Sequence, residues 1–440
     1  MHEHKAVRSR RTTSKHHKCG GNLTSKGMFQ KGLGSLTSPE QIEKIGSLGW
    51  NMLREDLSLP AAVLVEPRIE HNLRWMSEFA KRYNVQLAPH GKTTMAPKLF
   101  ARQIDAGAWG ITLATAQQCL VAHAHGVRRI LMANELVGLA NFELVSTIID
   151  EGGTFYTLVD SPVLVDQLGA FFKRKNQQLR LLLEIGVEDG RAGTRTSGET
   201  QAVVQAVARW SGTLLLCGLE VYEGVLNDEA SIREYLGRAV QTLKGLQQQR
   251  AFAKGERIIL SGAGSAWYDI VADVFVPMKN EVDVLLRPGC YLTCDAGIYR
   301  EAQQRITSRN RIAQEVDRTM GNTLVPAIEV WAYVQSVPQA GLAIIGLGKR
   351  DAAFDSGLPV PIWHYRPGSH HKPMAVPKEW STTKLMDQHA YLHFPDPADL
   401  KVGDMLGFDI SHPCLTFDKW RYLALVDAQY NVLGAVPTFF

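Results

Sequence analysis

Short apolar runs alternate with segments of helical periodicity between residues 85 and 287, and this alternation constrains the fold more than any other feature. The runs span residues 85–90, 110–114, 130–133, 155–159, 180–185, 214–221, 257–261 and 282–287. Between them, segments such as 96–106 and 230–248 place apolar residues on one helical face. Eight strand–helix units predict a (β/α)8 TIM barrel. An open, doubly wound parallel sheet is the alternative.

The residues after Cys290 have a different pattern. Proline, glycine and aromatic residues are denser there, and β-type runs occur at 325–337, 340–346, 390–394, 405–410 and 421–426. We therefore predict a C-terminal β-domain, and an early strand at 60–66, outside the barrel count, is expected to pair with it. The predicted division is a mobile basic tail at 1–44, a segment joining the β-domain at 45–68, a barrel at 69–300 and a β-domain at 301–440.

Charge and cysteine content restrict the class of protein. The net charge is +4, and residues 1–31 alone hold eight Lys and Arg against one acid, Glu3. A basic tail can bind nucleic acid, but we interpret it as a solvated extension and expect no nucleic-acid partner. No apolar run reaches the roughly 18 residues of a transmembrane helix, so no membrane partner is expected. Six cysteines without metal-finger spacing indicate a cytoplasmic protein with reduced thiols.

Lys92 is the first candidate for chemistry. The segment Leu87-Ala-Pro-His-Gly-Lys92 reads as a strand that ends at a lysine. In barrels, ligands bind at the carboxyl ends of strands, where a buried amine with a lowered pKa can form an imine. The alternative is a solvated lysine or a salt-bridge partner.

A glycine-containing loop follows the seventh predicted strand. Ser261, Gly262, Gly264 and Ser265 belong to the run Ser-Gly-Ala-Gly-Ser. Backbone amides of such loops bind phosphate, and barrels often place phosphate after strands seven and eight. A simple glycine turn is the other interpretation.

Arg191 and Tyr222 follow the fifth and sixth predicted strands. The guanidinium of Arg191 can hydrogen-bond a ring nitrogen or a carboxylate of a ligand. The alternative is a structural ion pair with Glu188 or Asp189. Tyr222 can stack in a pocket or simply pack.

His412-Pro-Cys414 lies in the predicted β-domain. If the chain is extended there, residues two apart share a face, and an imidazole and a thiolate can bind one borderline cation such as Zn²⁺. Two protein ligands leave open positions, as a catalytic metal requires. The alternative is that this His-x-Cys occurs by coincidence, as isolated examples of the pattern usually do, and binds no metal.

Taken in order, these motifs resemble the D-serine dehydratase/D-threonine aldolase family, fold-type III pyridoxal-phosphate (PLP) enzymes built like alanine racemase. The resemblance covers residues 57–435. The matching motifs include the family's Pro-His-x-Lys-Thr, its Arg-x-Gly and the dehydratases' His-x-Cys, found here at Pro89–Thr93, Arg191–Gly193 and His412–Cys414. One departure is Gly186, where the family often has aspartate.

The resemblance implies site residues and cofactors. Lys92 would hold PLP as an imine, with PLP contacts from Thr115, Arg191, Tyr222 and the loop residues Ser261, Gly262, Gly264 and Ser265. His412 and Cys414 would bind Zn²⁺ and take part in catalysis. A homodimer is expected, because related enzymes dimerise.

The implied activity is dehydration of 3-hydroxy-D-amino acids. The freed amine of Lys92 would remove the α-proton of a D-amino acid, PLP would spread the carbanion charge, and Zn²⁺ would help the β-hydroxyl leave. D-Serine would give pyruvate and ammonia, and D-threo-3-hydroxyaspartate is an alternative substrate. The competing predictions are retro-aldol cleavage, as in D-threonine aldolase, and a non-catalytic PLP-homeostasis protein.

Overall fold

The N-terminal segment packs on the β-domain in a computed structural model that describes residues 29–395 and 398–440. Helix α1 (Pro39–Glu43) begins with a capping box, in which the hydroxyl of Ser38 and the side chain of Gln41 bond each other's backbone amides. Leu33, Leu36 and Ile42 are buried in the same apolar cluster as Val63. The predicted mobile tail is therefore wrong for residues 29–44, because these apolar side chains anchor them. Residues 1–28 lie outside the described residues.

Strand β1 (Ala61–Val65) is completely buried and belongs to the sheet of the β-domain. It pairs antiparallel with a strand at 328–339 and parallel with a strand at 422–426. The expected pairing of the early strand with the β-domain is confirmed.

The eight predicted barrel strands form one parallel sheet. They are β2 (Gln86–Leu87), β3 (Ile111–Leu113), β4 (Arg129–Glu135), β5 (Thr154–Val159), β6 (Leu179–Ile185), β7 (Leu214–Val221), β8 (Ile259–Gly262) and β9 (Asp283–Leu286). Their spatial order is β2-β9-β8-β7-β6-β5-β4-β3. A parallel bridge between His90 and Thr112 joins the two edge strands just past β2. The barrel prediction is confirmed and the open sheet is excluded.

Helices surround this sheet because one face of each is apolar. They are α2 (Glu66–Tyr83), α3 (Pro97–Asp105), α4 (Ala116–Ala124), α5 (Leu139–Asp150), α6 (Pro162–Arg174), α7 (Ser197–Arg209), α8 (Glu229–Gln248) and α9 (Tyr268–Phe275). A separate cluster that includes Leu131, Leu158 and Leu182 fills the barrel interior. The interior is therefore a packed core, and the space for ligands lies at the carboxyl ends of the strands.

Residues 298–320 are helical, in contrast to the β-type structure that the sequence after Cys290 predicts. They form α10 (Ile298–Arg309) and α11 (Arg311–Met320), and the side chain of Asn310 caps the second helix. α11 contacts α2, since the indole of Trp75 donates to Asp317, and Asn310 between the two helices donates its side-chain amide to Tyr83 of α2. The predicted β-domain of 301–440 is thus wrong for its first twenty residues, which extend the helical layer.

The β-domain is built mainly from antiparallel strands. They are β10 (Ile328–Gln339), β11 (Leu342–Ile345), β12 (Val360–Tyr365), β13 (Met374–Ala375), β14 (Ser381–Leu385), β15 (Ala390–His393), β16 (Met405–Asp409), β17 (Tyr422–Val426) and β18 (Val432–Pro437), with the short helix α12 (Cys414–Phe417) between β16 and β17. The main sheet has the order β13-β12-β16-β10-β1-β17-β18. No helix of the described residues is long and apolar enough to cross a membrane.

Two acidic residues face each other across this sheet. Asp409 of β16 is in register with Glu329 of β10. Its side chain is buried with Oδ1 unpartnered. Burial first, and then the charge of Glu329, raise the pKa of Asp409 to about 7.

Asp409→Asn is expected to make stability less dependent on pH. Because the folded-state pKa of Asp409 lies above the unfolded value of about 3.9, its contribution to stability is greatest at low pH and is lost as the pH rises through about 7. The loss is at most about 4 kcal/mol, from 1.36 kcal/mol per pKa unit. Urea unfolding at pH 5 and pH 8 measures the part of this loss that falls above pH 5, about 3 kcal/mol. Equal pH dependence in wild type and variant would contradict the prediction.

Candidate active site

Lys92 lies at the mouth of the barrel, where the predicted strand end places it. The chain leaves β2 and makes a tight 3₁₀ turn over Gly91–Thr93. The Lys92 side chain is exposed to the mouth, but its surroundings still lower the pKa of its amine. The main cause is desolvation, and the positive charges of Arg191 and Arg287 add to it, while Cys414 opposes the shift. A lysine in this setting has the lowered pKa that a nucleophilic amine needs.

Arg191 and Tyr222 contact each other at the mouth, after β6 and β7. The guanidinium of Arg191 lies 4.6 Å from the ring centroid of Tyr222, within cation–π range. Its Nη2 is 3.8 Å from Oε1 of Glu184, at the end of β6. The predicted alternative, an ion pair with Glu188 or Asp189, is therefore not what forms. Arg191 is held by a buried carboxylate and an aromatic face and remains exposed to the mouth.

Gly186 shows why this chain departs from the expected aspartate. The loop after β6 folds back, and the amide of Gly186 donates to the carbonyl of Thr194 at 2.9 Å. A Cβ at position 186 would lie 2.3 Å from the carbonyl oxygen of Ala192. Only glycine fits this close approach, so the loop that carries Arg191 has its own geometry here.

The glycine loop after β8 binds a carboxylate of the protein itself. The amides of Ala263 and Gly264 donate to the two oxygens of Glu223 at 3.0 and 2.7 Å. Glu223 is fully buried and needs these donors. The Gly264 amide, predicted to face a phosphate, thus has another partner. Gly262 allows close packing between neighbouring strands, since a Cβ at this position would lie 3.0 Å from the side chain of Val221.

Ser265 joins two loops at the mouth. Its Oγ accepts the amides of Gly289 and Cys290 at 3.1 and 3.0 Å. This contact fixes the loop after β9 against the loop after β8. The Ser265 hydroxyl keeps its own proton available for a ligand.

Several buried polar atoms around the mouth have no hydrogen-bond partner. They include His90 Nδ1, Ser261 Oγ and Arg287 Nε, together with one carboxylate oxygen each of Glu184 and Glu220. Buried polar atoms are rarely left unpaired unless a ligand or ordered water satisfies them. Arg287 also carries a charge that forms a buried ion pair with Glu220. A lysine amine together with unpartnered hydroxyl, imidazole and guanidinium groups fits a phosphorylated aldehyde cofactor.

Thr115 lies at the end of β3, but the structure gives its side chain a structural contact. Its Oγ1 accepts the amide of Gln118 at 3.2 Å and so caps α4. The hydroxyl proton stays free, so a cofactor contact by Thr115 remains a prediction.

His412 and Cys414 meet at a strand–helix junction and not on an extended strand. β16 ends at Asp409, and Pro413 already has helical angles, φ −59° and ψ −46°. The extended conformation considered for His-x-Cys does not form, because Pro413 has helical angles and directly precedes the first residue of α12. The two side chains are neighbours, and the interaction with Cys414, followed by that with Asp355, raises the pKa of His412 to about 9.

Asp355 orients the imidazole of His412. Its Oδ2 lies 2.7 Å from Nδ1, which leaves the other ring nitrogen for a ligand. A carboxylate behind a histidine in this way is the usual outer support of a metal-binding imidazole. No group of three or more metal-ligating side chains occurs within 29–395 and 398–440. The chemistry of the thiol–imidazole pair fits a zinc ion with open positions.

Asp355→Asn is expected to weaken zinc binding by about 10–100-fold, the usual cost of removing a carboxylate behind a metal-binding histidine. The amide is nearly isosteric but carries no charge to hold Nδ1–H. Competition with a chromophoric chelator measures the zinc Kd. Ser356→Ala, which removes a hydroxyl that bonds Asp355 at 3.1 Å, is the matched control and should have a much smaller effect. Unchanged zinc affinity in Asp355→Asn would contradict the positioning role.

Some residues of the site were not predicted. Glu184 and Glu220 lie near the ends of predicted strands, and this position is a signal that could have identified them. Asp355 had no such signal, because it is 57 residues from its partner His412. The contact between Cys290 and Cys414 spans 124 residues.

Comparisons with known proteins agree with this architecture. Residues 66–296 match the family model of the alanine racemase N-terminal domain, and residues 327–426 match a putative serine dehydratase domain. A D-threonine aldolase of Arthrobacter sp. is 26% identical over 226 residues, which are 50% of this chain and 59% of the aldolase. The match thus spans less than two thirds of that relative. A 3-hydroxy-D-aspartate aldolase of Paracoccus denitrificans is 23% identical over 318 residues, 70% of this chain and 76% of the aldolase.

Solved structures extend the likeness to most of the chain. A D-threonine aldolase from Filomicrobium marinum superposes with a TM-score of 0.73 at 24% identity, covering 89% of this chain and 97% of that chain. D-threo-3-hydroxyaspartate dehydratase from Delftia sp. HT23 gives 0.67 at 20% identity, covering 88% and 99%. At these identities the likeness shows the fold alone. Because the first family model matches more than half of the residues, the chain belongs to the alanine racemase N-terminal domain family, the fold-type III group that its motifs indicate.

Proposed function

We propose that this protein is a PLP- and zinc-dependent lyase that removes water and then ammonia from 3-hydroxy-D-amino acids, converting D-serine to pyruvate and ammonia. One observation carries the proposal: the candidate amine and the candidate metal pair share one site. Thr93, the residue after Lys92, has its Oγ1 3.4 Å from the Cys414 sulfur. A substrate held at Lys92 would thus have its β-carbon near His412 and Cys414.

The residues of this chain have distinct tasks in the proposal. PLP, when bound, supplies an electron sink for negative charge at the substrate's α-carbon. Lys92 would hold the aldehyde carbon of PLP and, once released, take the α-proton on Nζ. The lowered pKa of Lys92 favours this task, since a neutral amine is a base and an ammonium is not.

Arg191 and the metal pair set the outcome. A guanidinium is a poor proton donor, so Arg191 would not donate a proton to a ring nitrogen. His412 and Cys414 would hold Zn²⁺, which as a Lewis acid would stabilise the leaving β-hydroxyl. Asp355 keeps the imidazole of His412 in the binding orientation.

The second candidate is retro-aldol cleavage, because the curated relatives include D-threonine and 3-hydroxy-D-aspartate aldolases. A D-threo-3-hydroxyaspartate dehydratase of Delftia sp. is also 30% identical over 139 residues. The thiol of Cys414 favours a borderline metal such as zinc over a harder cation, and this favours dehydration.

Product analysis separates the two reactions. Purified protein is incubated with D-serine, D-threonine and D-threo-3-hydroxyaspartate, with and without a chelator. We expect 2-oxo acids and ammonia, in amounts that fall when the metal is removed. Glycine together with an aldehyde would establish the aldolase instead. No turnover of any of the three would contradict both reactions.

A further inference from the structure

A second cysteine, Cys290, contacts the candidate metal pair at Cys414, and neither the motifs nor the comparisons assign it a role. Within the described part of the chain five cysteines occur, all of them as free thiols. Two of these thiols, Cys290 and Cys414, have their sulfurs 3.8 Å apart. That distance is close to van der Waals contact, so one sulfur can reach the other after a shift of less than 2 Å to a bond of about 2.05 Å.

The two sulfurs come from different domains and are each held in place. Cys290 follows β9 of the barrel, and its amide is fixed by Ser265 Oγ. Cys414 begins α12 of the β-domain, where Thr416 Oγ1 donates to the carbonyl of His412 at 3.0 Å. The backbone hydrogen bonds of both segments therefore hold the two sulfurs close together across the domain boundary.

Access differs between the two thiols. Cys290 is 3% exposed, whereas Cys414 is partly exposed at the mouth. Thr93 Oγ1 lies 3.8 Å from the first sulfur and 3.4 Å from the second, directly beside Lys92. A small oxidant that enters the mouth can therefore reach the Cys414 sulfur directly, whereas the Cys290 sulfur is shielded from solvent.

We propose that Cys290 and Cys414 are a reversible oxidation site that closes to an inter-domain disulfide in the presence of hydrogen peroxide. The Cys414 sulfur attacks one peroxide oxygen, the O–O bond breaks, and water leaves, giving a sulfenic acid. The Cys290 sulfur then attacks the Cys414 sulfur, the S–O bond breaks, and a second water leaves. Two thiols lose two electrons and two protons, and one peroxide is reduced to two waters.

The disulfide would disable the candidate metal site. Its sulfur carries no negative charge, so His412 would remain as the single protein ligand and the metal would be released. This consequence rests on the proposed function, whereas formation of the disulfide does not. Reduction by a dithiol would restore the thiolate and the metal site.

Peptide mapping tests the disulfide separately from activity. The holoenzyme is treated with an equimolar amount of hydrogen peroxide and digested without reductant. We expect a cross-linked peptide that contains residues 290 and 414, loss of two thiols per chain, and recovery of both with dithiothreitol. Metal release is followed in parallel with a chromophoric chelator.

Two variants complete the design. In Cys290→Ser the cross-link cannot form, and Cys414 should be found as sulfenic or sulfinic acid with poorer recovery after reduction. In Cys294→Ala, which removes a buried thiol four residues from Cys290, the cross-link should form as in wild type. Oxidation without a 290–414 cross-link in wild type would overturn the proposal. A cross-link in a protein that proves to bind no metal would leave the oxidation site standing and refute only its consequence.

Discussion

Replacing Lys92 by alanine is expected to lower kcat by roughly 10²–10⁴-fold, the range associated with loss of one proton-transfer group. In the proposal Lys92 both holds the cofactor and removes the α-proton, and alanine can do neither. His90, two residues away, is not an equivalent base, because desolvation lowers the pKa of its imidazole. Steady-state 2-oxo acid formation and retention of PLP after gel filtration measure both losses.

Two control variants separate chemistry from charge and from folding. Lys92→Arg keeps the positive charge at the mouth but offers no nucleophilic amine, so it should be as inactive as the alanine variant. Lys81→Ala changes an exposed lysine in the last turn of α2 and should leave turnover unchanged. Near wild-type kcat in Lys92→Arg would contradict the assignment of Lys92.

Cys414→Ala is expected to remove the metal and most of the activity. With one imidazole left, the zinc content should fall towards zero. Loss of Lewis-acid stabilisation worth several kcal/mol should lower kcat/KM by about 10²-fold or more. Metal analysis of the purified variant and kinetics with added zinc measure both effects. PLP binding should persist, because the thiol does not hold the cofactor.

The matched control is Cys119→Ala, which removes a fully buried thiol in α4. It should keep both zinc and activity. If Cys414→Ala retained full activity with no bound metal, the reaction would not depend on a metal at this site.

The sequence predicts the barrel well because its strands are short apolar runs separated by amphipathic helices. Lys92 could be identified for the same reason, since its position follows from the end of a strand. Residues 29–44 and 298–320 differ from the expectation that composition gives, although each region carries a local helix signal: the capping box at Ser38 and the cap of α11 at Asn310.

Other parts of the site depend on contacts that no local pattern reveals. The carboxylate of Glu223 accepts hydrogen bonds from the amides of Ala263 and Gly264 because the fold buries it beside them. Asp355 and His412 are 57 residues apart in the sequence and meet only through the fold of the β-domain. The helical angles of Pro413 determine how the side chains of His412 and Cys414 are placed relative to each other. The motif His-x-Cys alone does not distinguish this turn from an extended strand.

The central claim is a covalent bond between PLP and one particular amine. The holoenzyme is reduced with borohydride, digested, and searched for the peptide that carries the pyridoxyl label. The account predicts one labelled peptide, with the label on Lys92 and stoichiometry near one per chain. A label on any other lysine, or protein that binds PLP without forming a reducible bond, would contradict it.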